Sequence, residues 1–591
     1  MIHRIDAAVT AGAEALFARR RPDGVFAPDA TEDRFSPANT ALALIALHLA
    51  EQPEKPEKTD PLLARGADRL VKAQRDTGGW AMRGVADEVL TTAVVTDVLD
   101  LVAPRHAAPA VRAGRQRLTQ LGGPEALPEP VMAGLTRQFG VLAGRLDEAA
   151  LPRLPLEALL LRGPARRLLS LRLPILASMA LGQATVRRRT QGLVRRRLNA
   201  LARPAALAVV REAYEREGAS GSFSTDPWLT GLICVGTTRS GLAPDIVRAA
   251  AGWLRSEADA DGGWELMPLD VTWSSFAASA LLEAGYADDP RLTATRAMFQ
   301  ERQQNTPFAA LACPPGYWGF SSAHSWPMAL ETAEISSVLL RLPGGGDDPH
   351  VRRGIDWLTR AQDSAGSWSL AVRNSKPGGF GPCPQMTAKA VRALLDHGAG
   401  PGDRRVVKAV RWLIAQQRTG GSADVSPDVS PDVSASVSAD GSYEALWYRG
   451  RTAGTSVVLE TLCRTVGAAH PAAVRATAWL LRTQADDGSW GGGGRGGEPE
   501  NGGGTVEDTA WALYALLAAG HDPESQPVTA AARYLTDAQR PDGGWAGSPV
   551  NEYIRFCYRY ADDVIASGLA LRALARLRTA TASPRPPGSS A

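Results

Sequence analysis

Apolar residues along the 591-residue chain recur with helical spacing, and the helices they predict are of two kinds. One kind is amphipathic and carries an aromatic–Leu pair near its end, as at Trp253–Leu254, Trp357–Leu358, Trp479–Leu480 and Tyr534–Leu535. The other is apolar on every side and rich in small residues, as in Thr92–Val102, Thr509–Gly520 and Ala566–Leu577. A helix without a polar face must be buried, so the second kind is expected inside and the first kind around it. Between them lie turns such as Asp363–Trp368, Ala485–Trp490 and Arg540–Trp545. In these the Asp-Gly or Ala-Gly step supplies the reversal, and the glycine ends the first helix in a left-handed conformation.

The turns belong to a repeat with the template Gln-x-x-x-Gly-x-Trp. It recurs as Gln74/Gly78/Trp80, Gln362/Gly366/Trp368, Gln484/Gly488/Trp490 and Gln539/Gly543/Trp545. Weaker copies are Ala258/Gly262/Trp264, Glu217/Gly221/Phe223 and Arg20/Gly24/Phe26. A supersecondary unit repeated at such spacing cannot bury its apolar helix alone, and units in series close naturally into an α/α barrel. The repeat Trp and Gln side chains then have a structural role, stapling neighbouring turns on the outside of the barrel. The fold class expected is all-α.

Composition narrows the function. Lys and Arg number 65 against 62 Asp and Glu, so no bulk charge points to nucleic acid. The 15 tryptophans outnumber the 10 tyrosines and the 11 phenylalanines. Five isolated cysteines (Cys234, Cys313, Cys383, Cys463, Cys557) form no CxxC pair. They argue against a disulfide framework or a structural zinc site and for a reducing, cytoplasmic setting. The N-terminal residues show no secretory signal, and no run of 18 apolar residues predicts a spanning helix. Two segments break the repeat. The Ser/Pro/Asp/Val-rich stretch 424–440 reads as a surface insertion. Within 140–212, an apolar stretch is followed by Arg187–Arg189 and Arg195–Arg197. Over 166–198 this suggests an interfacial helix touching a membrane surface; a buried helix beside a solvated basic face is the alternative.

The repeats, together with the segments LPLEALLLRGPARRLLSLRLPILASMALGQA, LDVTWSSFAASALLEAG, GGGTVEDTAWALYALLAAG and YLTDAQRPDGGWAG, resemble the squalene–hopene cyclase and oxidosqualene cyclase superfamily, which includes the class II diterpene cyclases. The resemblance covers nearly the whole chain. It implies two α/α barrels with a hydrophobic cavity between them. The expected division is 1–15 packing on the second barrel, 16–295 as the first barrel, 296–580 as the second, and 581–591 as a disordered tail. It also implies a terpene cyclase acting on a linear isoprenoid, either a polyprene or a prenyl diphosphate, by carbocation cyclisation. In that family an Asp-x-Asp-Asp-Thr-Ala stretch opens an inner helix of the second barrel, and its middle Asp protonates the substrate.

Here the matching stretch is Met328–Ala333, with Pro327 and Ser325 ahead of it as expected helix start and cap. Leu330 stands where the acid belongs, and Glu331 is the one carboxyl retained. The family's Asp-Val-Thr-Ala-His segment matches Gln385–Lys389, so Lys389 replaces its histidine. Initiation is therefore expected to be altered. Either Glu331, helped by Glu507 and Asp508 at another inner-helix start, delivers the proton, or Lys389 with Arg451 and Arg449 handles a diphosphate. Solvated arginines, and acids that merely complement a helix dipole, are the plain readings of those charges. Trp318, Trp326, Phe556, Tyr558 and Tyr560 are expected to wall the cavity, because a cation needs π faces. No metal-ligand motif is visible, and Mg²⁺ enters only with a diphosphate substrate. The other class of function is a non-catalytic isoprenoid- or lipid-binding relative. A prenyltransferase β-subunit would share the barrel but needs a Cys/His zinc set that this chain lacks. The expected partners are a hydrophobic isoprenoid and a membrane surface, with the chain as monomer or homodimer.

Overall fold

A computed structural model describes residues 2–29, 32–51, 60–128, 130–161, 173–322, 324–370, 373–375, 381–418, 440–491 and 503–582. The insertion 424–440 lies outside these residues except for Asp440, as do 583–591 of the expected tail.

Helix α1 (Ile2–Ala18) opens the chain. The first barrel follows with α2 (Pro37–Ala50), α3 (Pro61–Lys72), α4 (Val89–Val102), α5 (Ala108–Gln120) and α6 (Pro130–Leu142). It continues with α7 (Pro174–Val186), α8 (Leu193–Arg216), α9 (Pro227–Ser240) and α10 (Pro244–Ser256). Its inner wall runs from α6 through α4 and α2 to α9 and α7, with α3, α5, α8 and α10 outside. The second barrel has inner helices α11 (Asp270–Glu283), α13 (Ala329–Arg341), α15 (Pro384–Asp396), α17 (Thr452–Thr465), α19 (Val506–Ala518) and α21 (Asp563–Ala582). Each packs on the next and α21 returns to α11, so the ring of six is closed. The outer helices α12 (Leu292–Glu301), α14 (Pro349–Ala361), α16 (Arg404–Ala415), α18 (Pro471–Arg482) and α20 (Gln526–Asp537) alternate with them. One short hairpin, β1 (Asn551–Ile554) paired antiparallel with β2 (Tyr558–Tyr560), precedes α21.

The boundary expected at 295/296 falls inside α12, past α11, which already belongs to the second barrel. Helix α11 lies in the ring of the second barrel between α13 and α21, and α12 packs on it. It joins that ring because Val271, Trp273, Ala277 and Leu281 are all buried, so it has no polar face to turn outward. Helix α1 packs against α20 and α21, supplying the outer helix that the last repeat needs.

Why the repeats have their residues is visible at each turn. The indole N–H of Trp80, Trp264, Trp368, Trp490 and Trp545 donates to the carbonyl ten residues earlier, at 2.7–2.9 Å. The amide of Gln539 donates to Gly543 O in its own turn and to Ala8 O of the neighbouring α1. Gln74, Gln362 and Gln484 likewise link their own turn to the next outer helix. Gln417 and Gln303 do the same in copies whose glycine is displaced to Gly441 and Gly316. At Gly543 (φ 85°) a Cβ would lie 2.5 Å from Ala11 O, so no side chain fits there. The six repeat tryptophans, Trp318 included, are all buried.

Candidate active site between the barrels

A cavity of about 200 Å³ lies between the barrels. One wall comes from the first barrel: Val131 and Met132 of α6, Ile175 of α7, and Asp226, Trp228 and Leu229 at the start of α9. The other gathers the N-terminal ends of inner helices of the second barrel, with Thr272 on α11, Leu330 and Glu331 on α13, and Ile565 on α21. The loops before those helices add Phe320, Trp326, Leu446–Tyr448 and the hairpin residues Asn551–Arg555. Successive inner helices of an α/α barrel run in the same direction, so the helix starts meet at one end.

Glu331 lies in the first turn of α13, and only 5 % of its surface is exposed. Oε1 accepts a hydrogen bond from the Thr272 hydroxyl at 3.0 Å, while Oε2 has no partner. Burial pushes its carboxyl up to about 7, against the smaller opposing pull of the backbone and Thr272 hydrogen bonds. Burial thus favours its protonated form at the cavity wall. Helix α13 begins at Ala329 rather than at the expected Ser325–Pro327, because Ser325 is tied back to Ser321 at 2.8 Å. Trp326 and Tyr560 also line the cavity.

The other expected site residues lie elsewhere. Trp318 is a repeat staple: its indole donates to Phe299 O at 2.6 Å, behind α13. Tyr558 donates to or accepts from Ser36 Oγ at 2.5 Å across the barrel interface. Phe556 is not among the lining residues; it sits at the hairpin tip under the Arg555 guanidinium, 4.5 Å away. Glu507 is buried but turned to the Ser548 backbone N–H at 2.7 Å, and burial pushes its pKa up to about 8. Asp508 and Thr505 exchange bonds as a capping pair, the Asp508 N–H donating to Thr505 Oγ1 at 3.1 Å. Neither acid reaches the cavity. Arg451 pairs with Asp440 at 3.0 Å in the loop before α17.

Lys389 is fully committed inside the second barrel. It pairs with Glu334, faces the Trp511 ring at 5.0 Å, and is 3 % exposed. Arg392 joins Glu334 at 2.7 Å and Glu460 at 3.3 Å, and Arg572 reaches Glu460 at 3.9 Å. Burial opposes ionisation of Glu334, but Arg392, Lys389 and Arg572 outweigh it and hold the carboxyl down at about 2. Two carboxylates and two guanidiniums already balance, so burial and the neighbouring Arg392 lower the Lys389 ammonium. A void too small for more than a water lies between this cluster and the cavity wall, bordered by both Lys389 and Glu331.

Two carboxyls absent from the sequence expectations stand at the cavity. Glu552 on β1 is 2 % exposed, has no partner on either oxygen, and is pushed up to about 7 by burial. Asp226 caps α9 by accepting from Trp228 N–H at 2.9 Å, and its second oxygen accepts from the Tyr553 hydroxyl at 2.5 Å. Burial is the largest influence on it and raises it to about 7. Among the described residues no three His, Cys, Asp or Glu side chains gather as a metal site.

Comparison with known proteins follows the same lines. Residues 433–561 match the family model of the squalene–hopene cyclase C-terminal domain. The drimenyl diphosphate synthase of Streptomyces showdoensis is 31% identical over 297 residues, 47% of this chain and 46% of that protein. The squalene–hopene cyclase of Alicyclobacillus acidocaldarius is 27% identical over 415 residues, 61% of this chain and 60% of that one. The chain thus spans less than two thirds of the length of these curated relatives. Among solved structures, the ent-copalyl diphosphate synthase from Streptomyces platensis shares the fold with a TM-score of 0.54 at 17% identity, covering 98% of this chain and 100% of that one.

Proposed function

We propose that this chain, a relative of the squalene–hopene and class II terpene cyclases, is itself a terpene cyclase that folds a linear isoprenoid in the cavity between its barrels and starts cyclisation with the Glu331 proton. The observation that carries the reading is the position of that carboxyl. A buried carboxyl with one unpartnered oxygen, raised by burial, lies at the wall of a cavity lined mainly by apolar and aromatic side chains, with Asp226 and Glu552 on other parts of its wall. Proton transfer to a terminal alkene leaves a carbocation, which those aromatic faces stabilise where water would quench it. Glu331 lacks the clustered carboxyls that would make it a strong acid, so its turnover is expected to be slow. The diphosphate route through Lys389 and Arg451 loses its support, since both cations are engaged away from the cavity. One curated relative is named a drimenyl diphosphate synthase, so a prenyl diphosphate is a candidate substrate beside a polyprene. With such a substrate, Mg²⁺ would enter with its diphosphate.

The chain meets its hydrophobic substrate, in this reading, at a membrane surface. Of the 166–198 segment, 166–172 lies outside the described residues and α7 is core of the first barrel, with Leu176, Ala177 and Leu181 buried. The contact therefore narrows to the start of α8 and the arginines before it. No helix among the described residues is long and apolar enough to cross a membrane.

Incubation with C15, C20 and C30 isoprenoids, with and without Mg²⁺, followed by product analysis, tests the function. Cyclic products from the unaltered chain, absent with Glu331→Gln, are expected. Tight binding of an isoprenoid without conversion would leave a binding protein instead.

A further inference from the structure

Asp226 stands on the first barrel, across the cavity from the helix that carries Glu331, and nothing in the initiation step uses it. Its carboxylate is unusually well provided for. Oδ1 accepts from the α9 backbone at Trp228, and Oδ2 accepts from the Tyr553 hydroxyl, contributed by the hairpin of the second barrel. Both carboxyls sit at helix starts and both are raised by burial to about 7, but Asp226 accepts from two donors where Glu331 accepts from one hydroxyl, so of the two Asp226 has its anion better supported. The surroundings suit a cation. Trp228 lies 6.5 Å from Tyr553 edge-on and 6.5 Å from Tyr558 in a stacked arrangement, so three rings cluster beside the carboxylate. The backbone leading to it is constrained as well. Ser224 (φ 62°) and Thr225 (φ 53°) are both left-handed, a conformation that non-glycine residues rarely adopt. They are held so by Ser321 of the second barrel, whose hydroxyl meets Thr225 Oγ1 at 2.9 Å.

We infer that Asp226 is the catalytic base that ends cyclisation, with Tyr553 as its positioning residue. The inference rests on the cyclase reading. In the step, the carboxylate takes a proton from a carbon adjacent to the final cation. The C–H electron pair becomes the product's new double bond, and the cation is discharged. Glu331, left as an anion by initiation, regains a proton from solvent, and Asp226 returns one to solvent. Donor and acceptor thus sit on different barrels, and the substrate lies between them.

Product analysis of the full chain with Asp226→Asn, Asp226→Ser and Tyr553→Phe tests this, using whichever isoprenoid the unaltered chain converts. Asn and Ser both keep the helix cap, so folding is controlled, and circular dichroism with a melting curve verifies it. With either Asp226 variant, substrate should still be consumed, while the normal alkene falls about tenfold or more against alcohols and isomeric alkenes. Tyr553→Phe should shift the same ratio in the same direction by less. An unchanged product mixture from folded Asp226 variants would overturn the assignment. So would loss of all substrate consumption, because Asp226 would then be the initiating acid. If the unaltered chain converts none of the isoprenoids, the cyclase reading fails first and this inference with it.

Discussion

Glu331 is the residue on which the proposed chemistry turns, and its protonation has a measurable consequence. Burial lifts its carboxyl to about 7, so the proton is present below that pH and lost above it. The value of kcat/KM should therefore fall as pH rises past about 7, approaching a tenfold loss per unit. A flat profile between about pH 6 and 9 would assign the proton to another group. Glu331 could be singled out from sequence because Thr332-Ala333 fixed its register against the family motif. Asp226 and Glu552 could not. An Asp-Pro step reads as an ordinary helix cap, and Asp226 gains its meaning from Tyr553, 327 positions away. Glu552 falls in a stretch with no motif at all. Lys389 was legible as a cation one turn into an inner helix. What sequence does not show is that Glu334, on the neighbouring α13, takes it.

At the scale of elements, the alternation of amphipathic and apolar helices was enough to read the barrels, because each staple is local. The Trp indole binds within its own turn, and the Gln amide reaches only the next outer helix. Ring membership was harder, since α11 and its predecessors in the first barrel carry the same apolar pattern and only long-range packing separates them. The same limit applied to the basic segment. Helix α7 is buried between α8 and α9, whereas the first three turns of α8 leave Leu193 76%, Val194 75% and Leu201 66% exposed, with Arg195–Arg197 among them. Apolar side chains beside arginines fit the headgroup boundary of an anionic bilayer. The chain should float with vesicles containing phosphatidylglycerol, less so at high salt, and Leu193→Asp combined with Val194→Asp should release it. Absence of flotation at both low and high salt would make this a solvated surface.

The whole molecule buries many carboxyls with raised pKa values: Glu88 and Glu507 to about 8, Glu217, Asp226, Glu331 and Glu552 to about 7, and Asp562 to about 6. Each is raised chiefly by burial. The folded chain therefore holds more protons than the unfolded chain from about pH 4.5 to 8, and stability is lost as pH rises through that window. Glu334, Asp348 and Asp403, held down at about 2, act the other way below the ordinary carboxylate range. The lowered His48, His324, His521 and Lys389 oppose the trend within the window, but the seven raised carboxyls outnumber those four. The melting temperature should accordingly be higher near pH 5 than near pH 8, and a Tm that rises over this interval would show these carboxyls ionised in the fold. Such stored protons serve a purpose if one of them starts the reaction. The most direct test is to run the conversion in D₂O and read the product by mass spectrometry. Initiation by Glu331 predicts a cyclic product carrying one deuterium from solvent, formed by the unaltered chain and not by Glu331→Gln. A cyclic product without deuterium, or one formed equally well by Glu331→Gln, would contradict the account.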